Sequence, residues 1–242
     1  HHGRDATLKL QYYAMELLFG DPISKLTKHG RTSPELALAV AKQTAEGIAV
    51  AHKNGIVHRD LKPANLMLIP QENGDVLVKI LDFGLAYEIA DDRLTAVGDA
   101  PGTISYMPPE QLLGEDVDER GDLYCLGVVL FEMLTGSAPF SGDSEMLIAA
   151  SVMSSTARRI DEIQSDVPPK LADLVSALLM KDPNDRPQTA EALMEIIAAL
   201  EEEGMQTAVK VSHSGPSRNT VQDWGLSVNS KSKSKMPPPL PT

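Results

Sequence analysis

The chain is poor in three things, and each shortage excludes something. It has a single cysteine, Cys125, so no disulfide framework can staple it, and a reducing, cytoplasmic setting is the expectation. It has 22 Lys and Arg against 34 Asp and Glu, a formal charge of −12 at pH 7. A phosphate backbone needs a basic surface, so nucleic acid is not the expected partner. No stretch reaches the ~18 unbroken apolar residues of a membrane span, and the first ten residues mix charge with polarity as no secretory leader does. What remains is 242 residues with 42% hydrophobic content, enough for one large domain with a buried core and a tail. The absence of an initiator Met sets the expectation of a fragment or a processed chain.

Turn chemistry and apolar periodicity divide the sequence. Gln11 to Leu18 reads as a strand that closes at Phe19-Gly20. A short helix is expected near Pro22 to Leu26. Ser33 then caps a long amphipathic helix with Pro34 at its first position, apolar residues recurring to His52 and Asn54-Gly55 closing it. Leu66 to Ile69 and Val76 to Leu81 form a hairpin about Asn73-Gly74. Residues 88–110 read as a long functional loop. Asp122 to Leu134 is apolar nearly all round, as a helix buried in a core must be. Three more helices are expected over Ser144 to Met153, Pro168 to Met180 and Thr189 to Glu203. From about 205 the chain turns Ser-, Lys- and Pro-rich, carries about +4 against about −16 in the body, and reads as disordered.

The chemistry concentrates between the long helix and the hairpin. His58-Arg59-Asp60-Leu61-Lys62-Pro63-Ala64-Asn65 is followed, after the hairpin, by Asp82-Phe83-Gly84. A lone Asp or Asn is usually solvated surface or a helix cap. A carboxylate, a lysine two residues on, an amide three further and a second carboxylate beyond a hairpin form an ordered set that suits phosphoryl transfer to a hydroxyl. These motifs resemble the catalytic and metal-binding loops of eukaryotic-type (Hanks-type) Ser/Thr protein kinases. The resemblance covers about residues 10–203.

That resemblance implies an α+β fold, mostly helical with a small hairpin: a kinase C-lobe over 21–204, a remnant of the small lobe and hinge over 1–20, and a tail over 205–242. It implies ATP and Mg2+ as cofactors and a protein Ser or Thr as acceptor. Asp60 would orient the hydroxyl and take its proton, and Lys62 would reach the transferring phosphate. Asn65 and Asp82 would hold the metal. Met15 would back the adenine pocket, the backbone of Glu16 and Leu18 would bond the adenine edge, and Met67 would cover it. His58, Phe83 and Gly84 would keep the two loops in register. Arg59 would receive a phosphate from the activation segment, for which Thr95 is the preferred acceptor and Thr103 instead a hydrogen-bonding residue beside Asp60 and Lys62. Glu110 would pair with Arg186 as a structural staple, and Asp122 would accept backbone N–H groups of the catalytic loop. Pro108 and Gly121 depart from the usual family residues.

Cys125 and the methionines read as packing. Trp224 and the terminal Pro237-Pro238-Pro239-Leu240-Pro241 are the tail's candidate contacts for a protein partner. No glycine-rich nucleotide loop and no Val-Ala-x-Lys run precedes the catalytic loop, so the chain as given is expected to transfer phosphate weakly or not at all. The alternative is a non-catalytic scaffold that presents an isolated large lobe to a partner.

Overall fold

A helix with no polar face has to lie at the centre of whatever it belongs to, and residues 119–135 set the plan. The structure, a computed structural model, describes residues 2–5, 10–13, 16–83 and 103–205. Helices are numbered here in chain order: α1 Ile23–Thr27, α2 Pro34–Lys53, α3 Pro109–Leu112, α4 Glu119–Thr135, α5 Glu145–Ser154, α6 Ile160–Ile163, α7 Pro169–Leu178 and α8 Ala190–Glu202. In α4 every residue from Gly121 to Phe131 is buried, with Met133 and Leu134. Asp118 caps its start by accepting the Arg120 N–H at 2.9 Å, and Gly136, at φ +83°, ends it.

The long helix α2 packs against α4. Ser33 Oγ accepts the Leu36 N–H at 3.2 Å, and Pro34 adds no unsatisfied donor at the first position. Leu36, Val40, Ala41, Thr44 and Ile48 are sealed from solvent. Gly55, at φ +72°, follows the helix end. On its other flank α4 meets α7 so closely that a Cβ built on Gly127 would lie 2.7 Å from Cβ of Leu178.

Strands β3 (Asp21–Pro22), β4 (Leu66–Pro70) and β5 (Val76–Ile80) form one antiparallel sheet in the order β3-β4-β5. The β4–β5 register pairs Leu66 with Ile80 and Pro70 with Val76. Leu66 and Leu68 are buried while the alternate Met67 and Ile69 are half-buried, the two-residue period of a sheet with one inner face. Gln43 of α2 ties this sheet to the helices: its Nε2 donates to the Val76 carbonyl and its Oε1 accepts the Val78 N–H, each at 2.9 Å.

Two expectations are corrected. The strand read over Gln11 to Leu18 is β2, Leu10–Tyr13, paired with β1, His2–Asp5; its pairing runs out with His2 opposite Tyr13, and Glu16 to Phe19 have no regular structure. The loop read over 88–110 ends in a 3-10 turn, Thr103–Tyr106, and helix α3, where a Pro pair at 108–109 starts a helix as readily as it breaks one. Among the described residues no helix is long and apolar enough to cross a membrane.

Candidate active site

Asp122 is fully buried, one turn into α4, and three donors converge on its carboxylate. The backbone N–H groups of His58 and Arg59 donate to its two oxygens at 2.8 Å each, and His52 Nε2 donates at 2.8 Å. A carboxylate with no water around it needs such donors, and they fix the loop between α2 and the sheet. Arg59 is held at φ +64° and Asp82 at φ +59°, the two non-glycine residues at positive φ among those described. Left-handed backbone at residues with a Cβ costs on the order of 1–3 kcal/mol and clusters where function needs it.

His58 joins the two loops. Its Nε2 lies 2.8 Å from the Leu81 carbonyl, which can only accept, so Nε2 carries the proton. Its Nδ1 then accepts the Asp60 N–H at 3.3 Å. Phe83 meets the buried His58 ring edge-on with centroids 4.9 Å apart. A further backbone bond, Leu81 N–H to the Asn65 carbonyl at 2.8 Å, fixes the segment entering Asp82.

Around Asp60 the side chains close up. Lys62 Nζ lies 3.0 and 2.9 Å from the two Asp60 oxygens. Asn65, buried at the end of a 3-10 turn, spends its Nδ2 on the Asp60 carbonyl at 2.8 Å and on Oδ2 at 3.1 Å. With both amide hydrogens so directed, its Oδ1 faces elsewhere as an acceptor. The Asp82 side chain is exposed. Met67 is half-buried on β4, and Leu18 is half-buried in the irregular stretch before β3. Glu16 is exposed and pairs with Lys79 at 3.3 Å.

Arg186 and Glu110 form a buried, two-pronged pair at 2.7 and 2.8 Å. The guanidinium spends its other donors on the carbonyls of Met180, Arg120 and Lys181 and lies 4.9 Å from the Tyr124 ring. Every N–H of the fork is therefore satisfied, the condition under which a buried charge is tolerated. Thr103 opens the 3-10 turn, and among the described residues no hydrogen bond joins it to Asp60 or Lys62. Met15, Gly84 and Thr95 lie outside the described residues.

The two departures from the family pattern have local causes. Pro108 caps α3, where its carbonyl accepts the N–H groups of Gln111 and Leu112 and no donor is asked of it. A Cβ on Gly121 would meet Val117 Cγ1 at 2.3 Å, so glycine fits where a larger residue would not.

Three features were not singled out from the sequence. His52 is the third donor to Asp122, and only the return of the chain after Asn54 brings it there. Tyr106 donates to Glu132 at 2.5 Å; burial, then the neighbouring carboxylate, pushes its phenol far above the usual range. Lys181 places a buried Nζ 3.7 Å from the Phe140 ring centroid with no hydrogen-bond partner among the described residues; burial, with the charge of Arg186, lowers it from 10.5 to about 8.

The protein kinase domain family matches residues 7–196, and the chain belongs to that family. Its relatives include serine/threonine-protein kinase PknL of Mycobacterium tuberculosis, 36% identical over 193 residues that make up 79% of this chain and 47% of PknL. The probable serine/threonine-protein kinase CPE1738 of Clostridium perfringens is 37% identical over 193 residues, 79% of this chain and 27% of the relative. Serine/threonine-protein kinase PknA of M. tuberculosis is 35% identical over 190 residues, 78% of this chain and 42% of PknA. The chain thus spans less than half the length of these curated relatives.

Proposed function

We propose that residues 21–204 are the large lobe of a Ser/Thr protein kinase that transfers the γ-phosphate of ATP to a protein hydroxyl, with 1–20 as hinge and small-lobe remnant and 205–242 as a tail. The observation that carries this reading is the convergence of Lys62 and Asn65 on Asp60 beside the left-handed Asp82. Asp60, aimed by two neighbours, is the group to align the acceptor hydroxyl and take its proton. Lys62 is near enough to pass from Asp60 to an incoming phosphate.

The residues present fit magnesium. Asn65 Oδ1 and the exposed Asp82 carboxylate are hard oxygen donors, and the Asn65 amide is turned so that oxygen rather than nitrogen is offered. When bound with ATP, the metal would neutralise phosphate charge. Glu16 and Leu18 through their backbones, and Met67 through its side chain, are the groups we assign to the adenine. His58, Phe83 and Gly84 are the residues we assign to keeping the loops in register, with Asp122 as their anchor. Arg59 is the proposed phosphate receiver, Thr95 the proposed acceptor in the activation segment and Thr103 the proposed hydrogen-bonding residue beside Asp60 and Lys62. The Glu110–Arg186 pair is structural. A reducing, cytoplasmic setting is proposed on the strength of the one cysteine, which is buried.

Transfer by the chain as given is expected to be weak, since positioning dominates this reaction and neither a glycine-rich loop nor a Val-Ala-x-Lys run precedes the catalytic loop. The test is magnesium-dependent labelling of a generic basic protein by the chain extended upstream along its own coding sequence. Labelling on Ser or Thr that Asp82→Asn abolishes supports the proposal. Labelling unchanged by Asp82→Asn, or none from the extended chain, refutes it.

A further inference from the structure

Away from the catalytic loop, a groove of about 520 Å³ opens where the starts of α2 and α7 meet the end of α8. Pro34, Pro168, Leu200 and Met205 give it an apolar floor, and Glu35 and Glu203 stand among its acidic residues. Glu203 is paired with Lys170, whereas Glu35 has no ion-pair partner among the described residues.

The end of α8 directs the chain into this groove. Gly204 sits at φ +96°, its N–H bonds the Glu201 carbonyl at 3.0 Å, and the Met205 N–H reaches back to the Leu200 carbonyl at 3.1 Å. This is a left-handed glycine cap with the following residue folded against the last turn. Met205 accordingly lines the groove instead of running on along the helix axis. The next residues are Gln206-Thr207-Ala208-Val209-Lys210-Val211, two β-branched apolar side chains either side of the first cation of a basic tail.

We infer that this segment, Gln206 to Val211, is the groove's occupant. Laid down extended, it would turn Thr207, Val209 and Val211 to one face, toward the apolar floor, and Lys210 to the other, toward the acidic rim and Glu35. Lys210 is five residues from Met205, a reach of about 17 Å. Because the segment is tethered at the groove itself, its effective concentration is on the order of millimolar or above, and a weak contact suffices to hold it. The body's excess of acid and the tail's excess of base favour the same pairing. Docking would clamp the starts of α2 and α7 to the end of α8 and fix the direction in which the rest of the tail leaves.

Limited trypsin digestion of the full chain, read by mass spectrometry, tests this without reference to kinase activity. Cleavage after Lys210 should be about 10-fold slower than after Lys231 in the same molecule, as expected of a segment that must open locally first. Val209→Ser with Val211→Ser should abolish that difference, and Glu35→Lys should reduce it, with the melting temperature of the body little changed. Equal cleavage at Lys210 and Lys231 would overturn the inference, as would protection that survives the double serine variant. Protection that rises with chain concentration would assign the groove to another copy's tail and overturn the intramolecular placement.

Discussion

The carboxylate of Asp122 accepts from two consecutive backbone N–H groups and from His52, so its charge and both its oxygens are in use. Asp122→Asn would turn an NH2 group toward a donor. We expect it to lower stability by at least about 2 kcal/mol in chemical denaturation, because a buried group is left unpaired. Lys181 is the opposite case, a charge with little to hold it. Its ammonium is buried against Phe140 and lowered to about 8. Between about pH 8 and 10.5 the unfolded chain therefore binds more protons at this residue, and its contribution to stability rises with pH. Lys181→Met should raise the melting temperature at pH 7, and the gain should shrink as the pH approaches 10. A gain that does not change with pH would contradict the assignment. What was legible in the sequence at this scale was a cluster of near neighbours: Asp60, Lys62 and Asn65 lie within six positions of one another, and their side chains meet. The roles of His52 and Lys181 depend on partners 70 residues away in one case and 41 in the other, and no local pattern marks them.

Helices were legible where their ends have their own chemistry. Ser33 and Pro34 open α2, Asn54-Gly55 follow it, and Thr189 caps α8. The apolar run of α4 stated its own burial. The same logic fails for α5, which is almost uncharged yet buries only Val152 and leaves Met146 82% exposed; composition says that a helix is apolar, not that a neighbour covers it. Two close approaches at α4 were also illegible and yield predictions. Gly127→Ala puts a Cβ 2.7 Å from Leu178 and should destabilise by about 1–3 kcal/mol through overpacking. Gly121→Ser should cost a similar amount against Val117, and less in a Val117→Ala background. Additive losses in that double-mutant cycle would show that Val117 is not the obstacle. The expected Glu110–Arg186 pair stands as a closed unit, and Glu110→Ala should cost about 3–5 kcal/mol by stranding the Arg186 charge.

At the scale of the molecule, α4 at the centre presents Asp122 to the catalytic loop and, through Gly121 and Arg120, borders the Glu110–Arg186 pair. Fold and chemistry therefore share one support, and loop geometry should fail together with the core rather than before it. The pH dependence of stability has two sides. Titration of Lys181 raises stability above about pH 8, whereas the buried Cys125 and Tyr106, both shifted upward, keep protons that the unfolded chain sheds above pH 9 to 10. Stability should therefore rise from about pH 8, level off near pH 9 to 10 where the lysine and the thiol offset each other, and fall above pH 10, as thermal melting across that range would show. The central claim is that Asp60, aimed by Lys62 and Asn65, is the group that accepts the hydroxyl proton. The most direct test is the single-turnover rate of phosphotransfer by the upstream-extended chain, compared with its Asp60→Asn variant at saturating magnesium-ATP. A fall of about 10²- to 10⁴-fold with nucleotide affinity and melting temperature retained is the predicted result; transfer at the parent rate would contradict the account.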